Sequence, residues 1–250
     1  MNSFAIIDLI HSDPLAKHLD GKFTIRRGTT GENLKLLLSG QVDYAMISLV
    51  DYFKHFNSLD LVYGPTIVGK IHSMSNLLIS RDLDPYPGMN IAVTAETETT
   101  AFYLREIVDE MYPGTRLIRS KSSTPEDLLS EEDFALVIGN NALKVYESNF
   151  RVIFDVTKMF SKLFDLYSIY AVTAMKKDSG MERSMKGLFE VEPWEKTEMV
   201  QTISAKHGIS PDIISNYFSA IGYEFDSVIE KEIKIIREMY EEKQENIFNK

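Results

Sequence analysis

The sequence predicts an α/β protein of two lobes, each a sheet flanked by helices, with a ligand cleft between them. Three observations carry this expectation. Short apolar runs alternate with stretches whose apolar residues recur at helical spacing, as expected of strands joined by crossover helices. The alternation occurs twice. FTIRRGTTGENLKLLLSGQVDYAMIS (23–48) and RLIRSKSSTPEDLLSEEDFALVIG (116–139) share one order: β-rich run, arginine, hydroxyl cluster, leucine-bearing helix, polar turn, aspartate, apolar run. Finally, 250 residues are enough for two such units with helices to spare.

The elements follow in order. FAIIDLIHSDPLAKHL (4–19) reads as strand, polar elbow at His11-Ser12, then helix. Thr30, with Glu32 behind it, starts the next helix, and Gly40 stops it. The run Val42–Ile47 ends at Ser48, where a new helical pattern begins. RDLDPYPGMN (81–90), with two prolines and a glycine, is the most linker-like stretch of the first half. NIAVTAETETTAFYLREIV (90–108) repeats strand, hydroxyl-rich elbow and helix. Thr124 caps a further helix, with Pro125 at its first position and Glu126-Asp127 at the positive end of its dipole. The next run, Phe134–Ile138, ends in Gly139-Asn140-Asn141. SIYAVTAMKK (168–177) is β-rich and is placed to carry the chain back to the first lobe. Helices then run from Pro193 to Gly208, from Ser210 through Phe218, and from Asp226, the last with Ile229, Ile233, Ile236 and Tyr240 on one face. Strands short and apolar enough to be buried on both faces are expected throughout. The expected division is 1–84 with 174–250 in one lobe, C-terminal helices included, and 85–173 in the other.

Composition narrows the function. A net charge of −10 repels phosphate backbones, and the basic stretches Lys22–Arg27 and Arg116–Lys121 are short, so no nucleic-acid partner is expected. AKHGISPDIISNYF (205–218) has helix-turn-helix grammar but no Arg or Lys between Ile209 and Phe218. No apolar run reaches the roughly 18 residues of a membrane span. MNSFAIIDLI reads as a first strand and not as a signal peptide. The absence of cysteine excludes disulfides, thiolate metal sites and a cysteine nucleophile, and a cytoplasmic location is the expectation. Phosphate-loop, dinucleotide and nucleophile-elbow motifs are absent, as is any histidine pair at metal-helix spacing.

What remains is a set of elbows. Ligands of open α/β sheets bind where strands give way to helix N-termini. Ser12, Thr30, Ser48, Thr99, Thr100 and Asn140 all fall at such points. Helix N-termini and neutral hydroxyls suit a small carboxylate. Capping alone accounts for any single elbow; their number and two-fold repetition argue for a ligand. His11 lies in the first elbow, and His72 precedes Ser73–Ser75. The two are placed to meet in the cleft as ligand donors or as an acid/base pair.

The stretch Leu37–Tyr52, L-L-x-G-x-V-D-x-A-x-I-S-x-x-x-Y, resembles solute-binding proteins of the type II periplasmic fold. It resembles more closely their cytoplasmic relatives, the chorismate dehydratases of the futalosine route to menaquinone. Leu9–Pro14 is similar to that family's Y-L-N-[ST]-x-P elbow, Met74–Arg81 to its R-S-V-L-L-x-S-[RK], Thr99-Thr100 to its T-S, and Ile138–Leu143 to its I-G-D-x-A-L. The likeness runs over roughly residues 4–175. It implies mixed sheets in each lobe and loss of water from chorismate to give an enolpyruvyl-benzoate, with no metal or organic cofactor. It also implies His11 and Ser75 as catalytic positions, Thr99 and Thr100 as further positioning donors, and Ser48 as a pocket wall. His11 stands for the family's asparagine, Met74 for its arginine and Asn140 for its aspartate, which implies a diverged member. Two function classes stay open: a hydro-lyase acting on a cyclic carboxylate, and a non-catalytic binding or sensing protein for a small anion.

Overall fold

The computed structural model describes residues 1–94, 97–185 and 193–243. The first half comprises β1 (Ser3–Ile7), α1 (Ser12–Leu19), β2 (Thr24–Gly28), α2 (Thr30–Leu38), β3 (Tyr44–Ser48), α3 (Leu49–His55), β4 (Leu59–Leu61) and β5 (Ile67–Gly69). Then follow β6 (Asn76–Ser80), β7 (Asn90–Thr94), α4 (Glu98–Met111), β8 (Arg116–Ser120), α5 (Pro125–Glu131), β9 (Phe134–Ile138), α6 (Gly139–Val145), β10 (Arg151–Asp155) and α7 (Val156–Phe164). The chain ends with β11 (Ser168–Lys176), α8 (Pro193–His207), α9 (Pro211–Ala220), β12 (Ile221–Gly222) and α10 (Ser227–Glu242).

Two sheets result. One has the order β12-β5-β11-β3-β1-β2, with β4 also on β11; the other has the order β10-β6-β9-β7-β8. In each, the first strand of the repeated unit lies between its two parallel partners: β1 between β2 and β3, and β7 between β8 and β9. In each, an antiparallel strand then joins the third: β11 on β3, and β6 on β9. The sheets are therefore the same design built twice, and both are mixed. The outer strands β2 and β8 are not buried on both faces as expected. They are edge strands whose arginines face solvent, because each pairs on one side only.

Strand membership divides the chain elsewhere than at 84/85 and 173/174. Asn76–Ser80 pairs with β9 and β10, and Ser168–Lys176 pairs wholly within the first sheet. The chain thus passes between sheets at 70–75 and again between β10 and β11. Residues 81–90, which look like a linker, join β6 to β7 of one sheet, and Ser80 Oγ donates to Leu83 O in the turn. Proline and glycine report a turn, not the sheet to which the flanking strands belong.

The first passage is pinned. Asp155 caps α7 by accepting from Lys158 N (3.1 Å), and its other oxygen accepts from Ser73 N (3.0 Å) and Met74 N (2.7 Å). Met74 holds a left-handed backbone, φ 59°, which a side chain disfavours and which these bonds offset.

The helices pack as their stripes dictate, with one difference. Ile214, Tyr217 and Phe218 of α9 join Phe4, Ile6 and Tyr44 of the first sheet in one core. The apolar stripe of α10 instead enters a core that crosses both lobes. The Tyr240 ring lies 5.6 Å from Phe53 of α3 and 5.7 Å from Phe102 of α4, and Lys243 Nζ reaches Glu106 (3.1 Å) and Asp109 (3.2 Å) on α4. The last helix therefore braces both lobes, where all the C-terminal helices were expected on the first. Its stripe presents a broad apolar face that one lobe alone does not cover.

Candidate functional site

Between the sheets lies a cavity of about 110 Å³, at the ends of the strands where the elbows converge. Of the expected residues, His11, Thr30 and Ser48 line it from the first lobe, and Ser75, Thr99 and Thr100 from the second. Ser12, His72 and Asn140 do not line it. Ser12 is buried inside the first turn of α1, where its N–H donates to Leu9 O. His72 is exposed beside Tyr146 and Lys158, because the Met74 turn carries it away from the cleft, so the two histidines do not meet. Asn140 is spent on closure: its Oδ1 accepts from Ile10 N across the lobes (3.3 Å).

A second bridge closes the lobes. Thr99 Oγ1, on α4, accepts from Val50 N at the start of α3 (3.1 Å). Ser48 caps the same helix, accepting from Asp51 N (3.1 Å). In α2 the cap is Thr29, not Thr30. Thr29 Oγ1 accepts from Glu32 N while Glu32 accepts from Thr29 N, and this reciprocal pair requires the cap three residues before the glutamate.

The other wall differs. α4, fourteen residues long, has no side-chain cap hydrogen bond. Thr97 Oγ1 at its start is buried and has no partner among the described residues; the part of this elbow at 95–96 lies outside them. Thr100 Oγ1 donates to Asn76 Oδ1 (3.0 Å), and Asn76 Nδ2 donates to Ser73 Oγ (3.1 Å) and Ser75 Oγ (3.3 Å). The rest of the lining is mainly apolar, from Ile7, Leu9, Ile67, Ile138, Ala171 and Ile221, with the phenols of Tyr170 and Tyr217. Among the described residues, neither lysine nor arginine lines the cavity, and the one acid is Glu98. Burial works to raise that carboxyl, but Arg119 and Lys54 hydrogen-bond to it and hold it below the usual carboxylate range.

His11 is buried. Burial, with the nearby Arg27 charge, lowers its imidazole to about 4, so the ring is neutral at physiological pH. Nδ1 lies 3.1 Å from Tyr217 Oη, the Tyr223 hydroxyl donates to the His11 carbonyl, and Nε2 has no partner among the described residues. Burial pushes the Tyr217 phenol up, partly offset by a hydrogen bond with Ser75. Tyr217, Tyr170 and Asn76 were not foreseen, and Thr97 was foreseen only as one hydroxyl of the elbow Thr97 to Thr100. Tyr217 lies on a C-terminal helix far from the cleft in sequence, and its spacing marks only a buried face. Asn76, next to Ser75, could have been found from its place at a strand start beside a hydroxyl pair.

Two similar α/β lobes closed over a cavity at their strand ends define a periplasmic-binding-protein-like fold of the two-lobed type II class. Solved structures share it. A protein of Archaeoglobus fulgidus matches with a TM-score of 0.69 at 14% identity, covering 97% of each chain. The periplasmic aliphatic sulphonate-binding protein of Escherichia coli matches at 0.68 and 11%, covering 97% of this chain and 87% of that one. The alkanesulfonate-binding protein of Xanthomonas axonopodis, bound to MOPS, matches at 0.67 and 10%, covering 100% and 94%. Within that class the chain belongs to the menaquinone biosynthesis family, whose pattern it matches over residues 3–242. A chorismate dehydratase of Thermus thermophilus is 30% identical over 126 residues, 50% of this chain and 45% of that relative. The match thus spans under half the length of the curated relative.

Proposed function

We propose that the interlobe cleft binds a small carboxylate and that the protein, in a cytoplasmic setting, dehydrates chorismate. The observation that carries this reading is the start of α4 at the cavity, which no side chain among the described residues caps. The positive end of this fourteen-residue helix, with Thr97, Thr99 and Thr100, lines a space that has no lysine or arginine among the described residues. A carboxylate placed there takes the role that a capping side chain takes in α3. Ser75 shares the α4 wall through Asn76, and His11 approaches from the first lobe. In the reaction one ring C–H and one ring C–O bond break, proton and hydroxyl leave as water, and the ring becomes aromatic. The apolar walls suit the aromatic product, and the chain's part is to orient the substrate and exclude solvent.

The size of the cavity favours a second reading, a binding or sensing protein for a smaller anion. At about 110 Å³ it is below the roughly 150 Å³ that accommodates benzene. A substituted six-membered ring therefore fits only with the lobes further apart, the Thr99–Val50 and Asn140–Ile10 bridges parted. Incubation with chorismate, followed by mass spectrometry, tests the first reading: loss of one water is expected. Unchanged chorismate together with thermal stabilisation by a smaller carboxylate would replace it with the second.

A further inference from the structure

Nothing so far decides which nitrogen of His11 carries the proton. The residue lines the cavity; its Nδ1 lies against Tyr217, and its Nε2 is buried with no partner among the described residues. A bare Nε2 would act as a base, and a protonated one as a donor.

The hydrogen bonds behind the ring distinguish the two. Tyr217 Oη is the hydrogen-bond partner of Nδ1. If Tyr217 donates to Nδ1, the phenol proton is used and one group is left over, the Nε2–H. If the direction is reversed, Nδ1 donates to Tyr217. The phenol proton and the Nε2 lone pair are then both left over in a buried site. A buried polar group without a partner is costly, so the first direction is favoured. The His11 backbone does not swing to relieve either case, since its carbonyl accepts from Tyr223. Arg27, the cation that bears on the ring, disfavours a second proton on it.

We propose that Tyr217, carried by α9, is a positioning residue that holds His11 as the Nε2–H tautomer and thereby makes it a neutral hydrogen-bond donor to the ligand. This rests on the reading of the cleft as a carboxylate site. His11 then offers the ligand an N–H much as the amide of an asparagine would, and it does not take up the proton lost in a dehydration. The C-terminal helices become part of the site: α9 supplies the group that sets the chemistry of an elbow some two hundred positions earlier in the chain.

Nitrogen-15 NMR of the histidine side chains in the ligand-free protein tests this directly, with the His11 signals identified by their loss in His11→Asn. The expected result is a protonated Nε2 and an unprotonated Nδ1 at neutral pH. Tyr217→Phe is expected to give a mixture of tautomers and to weaken chorismate binding roughly fivefold. A protonated Nδ1 with a bare Nε2 in the wild type would overturn the proposal, as would a tautomer unchanged in Tyr217→Phe. Should that variant fail to fold, the wild-type tautomer still decides. A correct tautomer in a protein that neither binds nor converts chorismate would refute the proposed substrate and leave the Tyr217 assignment standing.

Discussion

The two lobes use the same strand order and differ in how they treat some of their helix starts. In the first lobe the helix ends are satisfied from within. Thr29 and Glu32 close a capping box on α2, Ser48 caps α3, and the first N–H groups of α1 donate to Leu9 and Ile10 carbonyls. In the second, Thr124 caps α5, but among the described residues α4 faces the cavity without a side-chain cap and α6 starts at Ile138, which supplies none. The same hydroxyl-before-helix pattern therefore has two meanings. Where the hydroxyl accepts from its own helix it is structural. Where the helix start is left open onto a buried space, it is available to something else. Thr99 belongs to both lobes, since it sits on the open helix and satisfies the closed one.

The largest effect expected of any change tests what joins the lobes. Asp155→Ala removes the acceptor of three backbone N–H groups and the restraint on the strained Met74 turn. It should cost about 3 kcal/mol in thermal or urea unfolding. An unaltered midpoint would mean that the strap at 70–75 is held by packing alone, and the lobes would then be less tightly coupled than the bonds indicate.

Next is pH, which sharpens the difference at the first-lobe elbow. The His11 imidazole lies at about 4 in the folded protein against 6.5 ordinarily. In between, the unfolded chain binds the proton and the native one does not. Stability is therefore complete above pH 6.5 and declines as pH falls toward 4, by about 3 kcal/mol in all. Urea titrations across that range should show the decline, and His11→Asn should flatten it. An equal slope in both proteins would place the titrating group elsewhere.

The smallest effects separate the lobes most sharply. Thr100→Val, in the second, breaks the bond to Asn76 and should weaken chorismate binding roughly five- to tenfold by calorimetry. Thr29→Ala, in the first, should lower stability by about 1 kcal/mol and leave that affinity alone. If the two variants behaved alike, the contrast between closed and open helix starts would be lost.

Much of this was legible in the chain. The repeated stretches at 23–48 and 116–139 fold as the same strand arrangement, and the caps Ser48, Thr124, Ser210 and Asp226 each accept from their own helix. Capping and periodicity act over a few residues, so a sequence displays them. Other features were out of reach. Thr29 was passed over for its neighbour although the spacing to Glu32 favours it. The 81–90 turn resembled a lobe boundary because composition records bends and not partners. His72 was placed in the cleft because nothing local announces that Met74 adopts a left-handed backbone.

By itself, then, the sequence determined the alternating elements, their duplication and the polar elbows, all of which follow from hydrophobic period and local hydrogen bonding. Tertiary structure alone decided that β6 joins the second sheet, that α10 spans both lobes, that Asn140 closes the cleft and not its lining, and that Tyr217 stands behind His11. Those are contacts between residues far apart in the chain. Their energies depend on which surfaces meet, and that is fixed only when the whole chain packs.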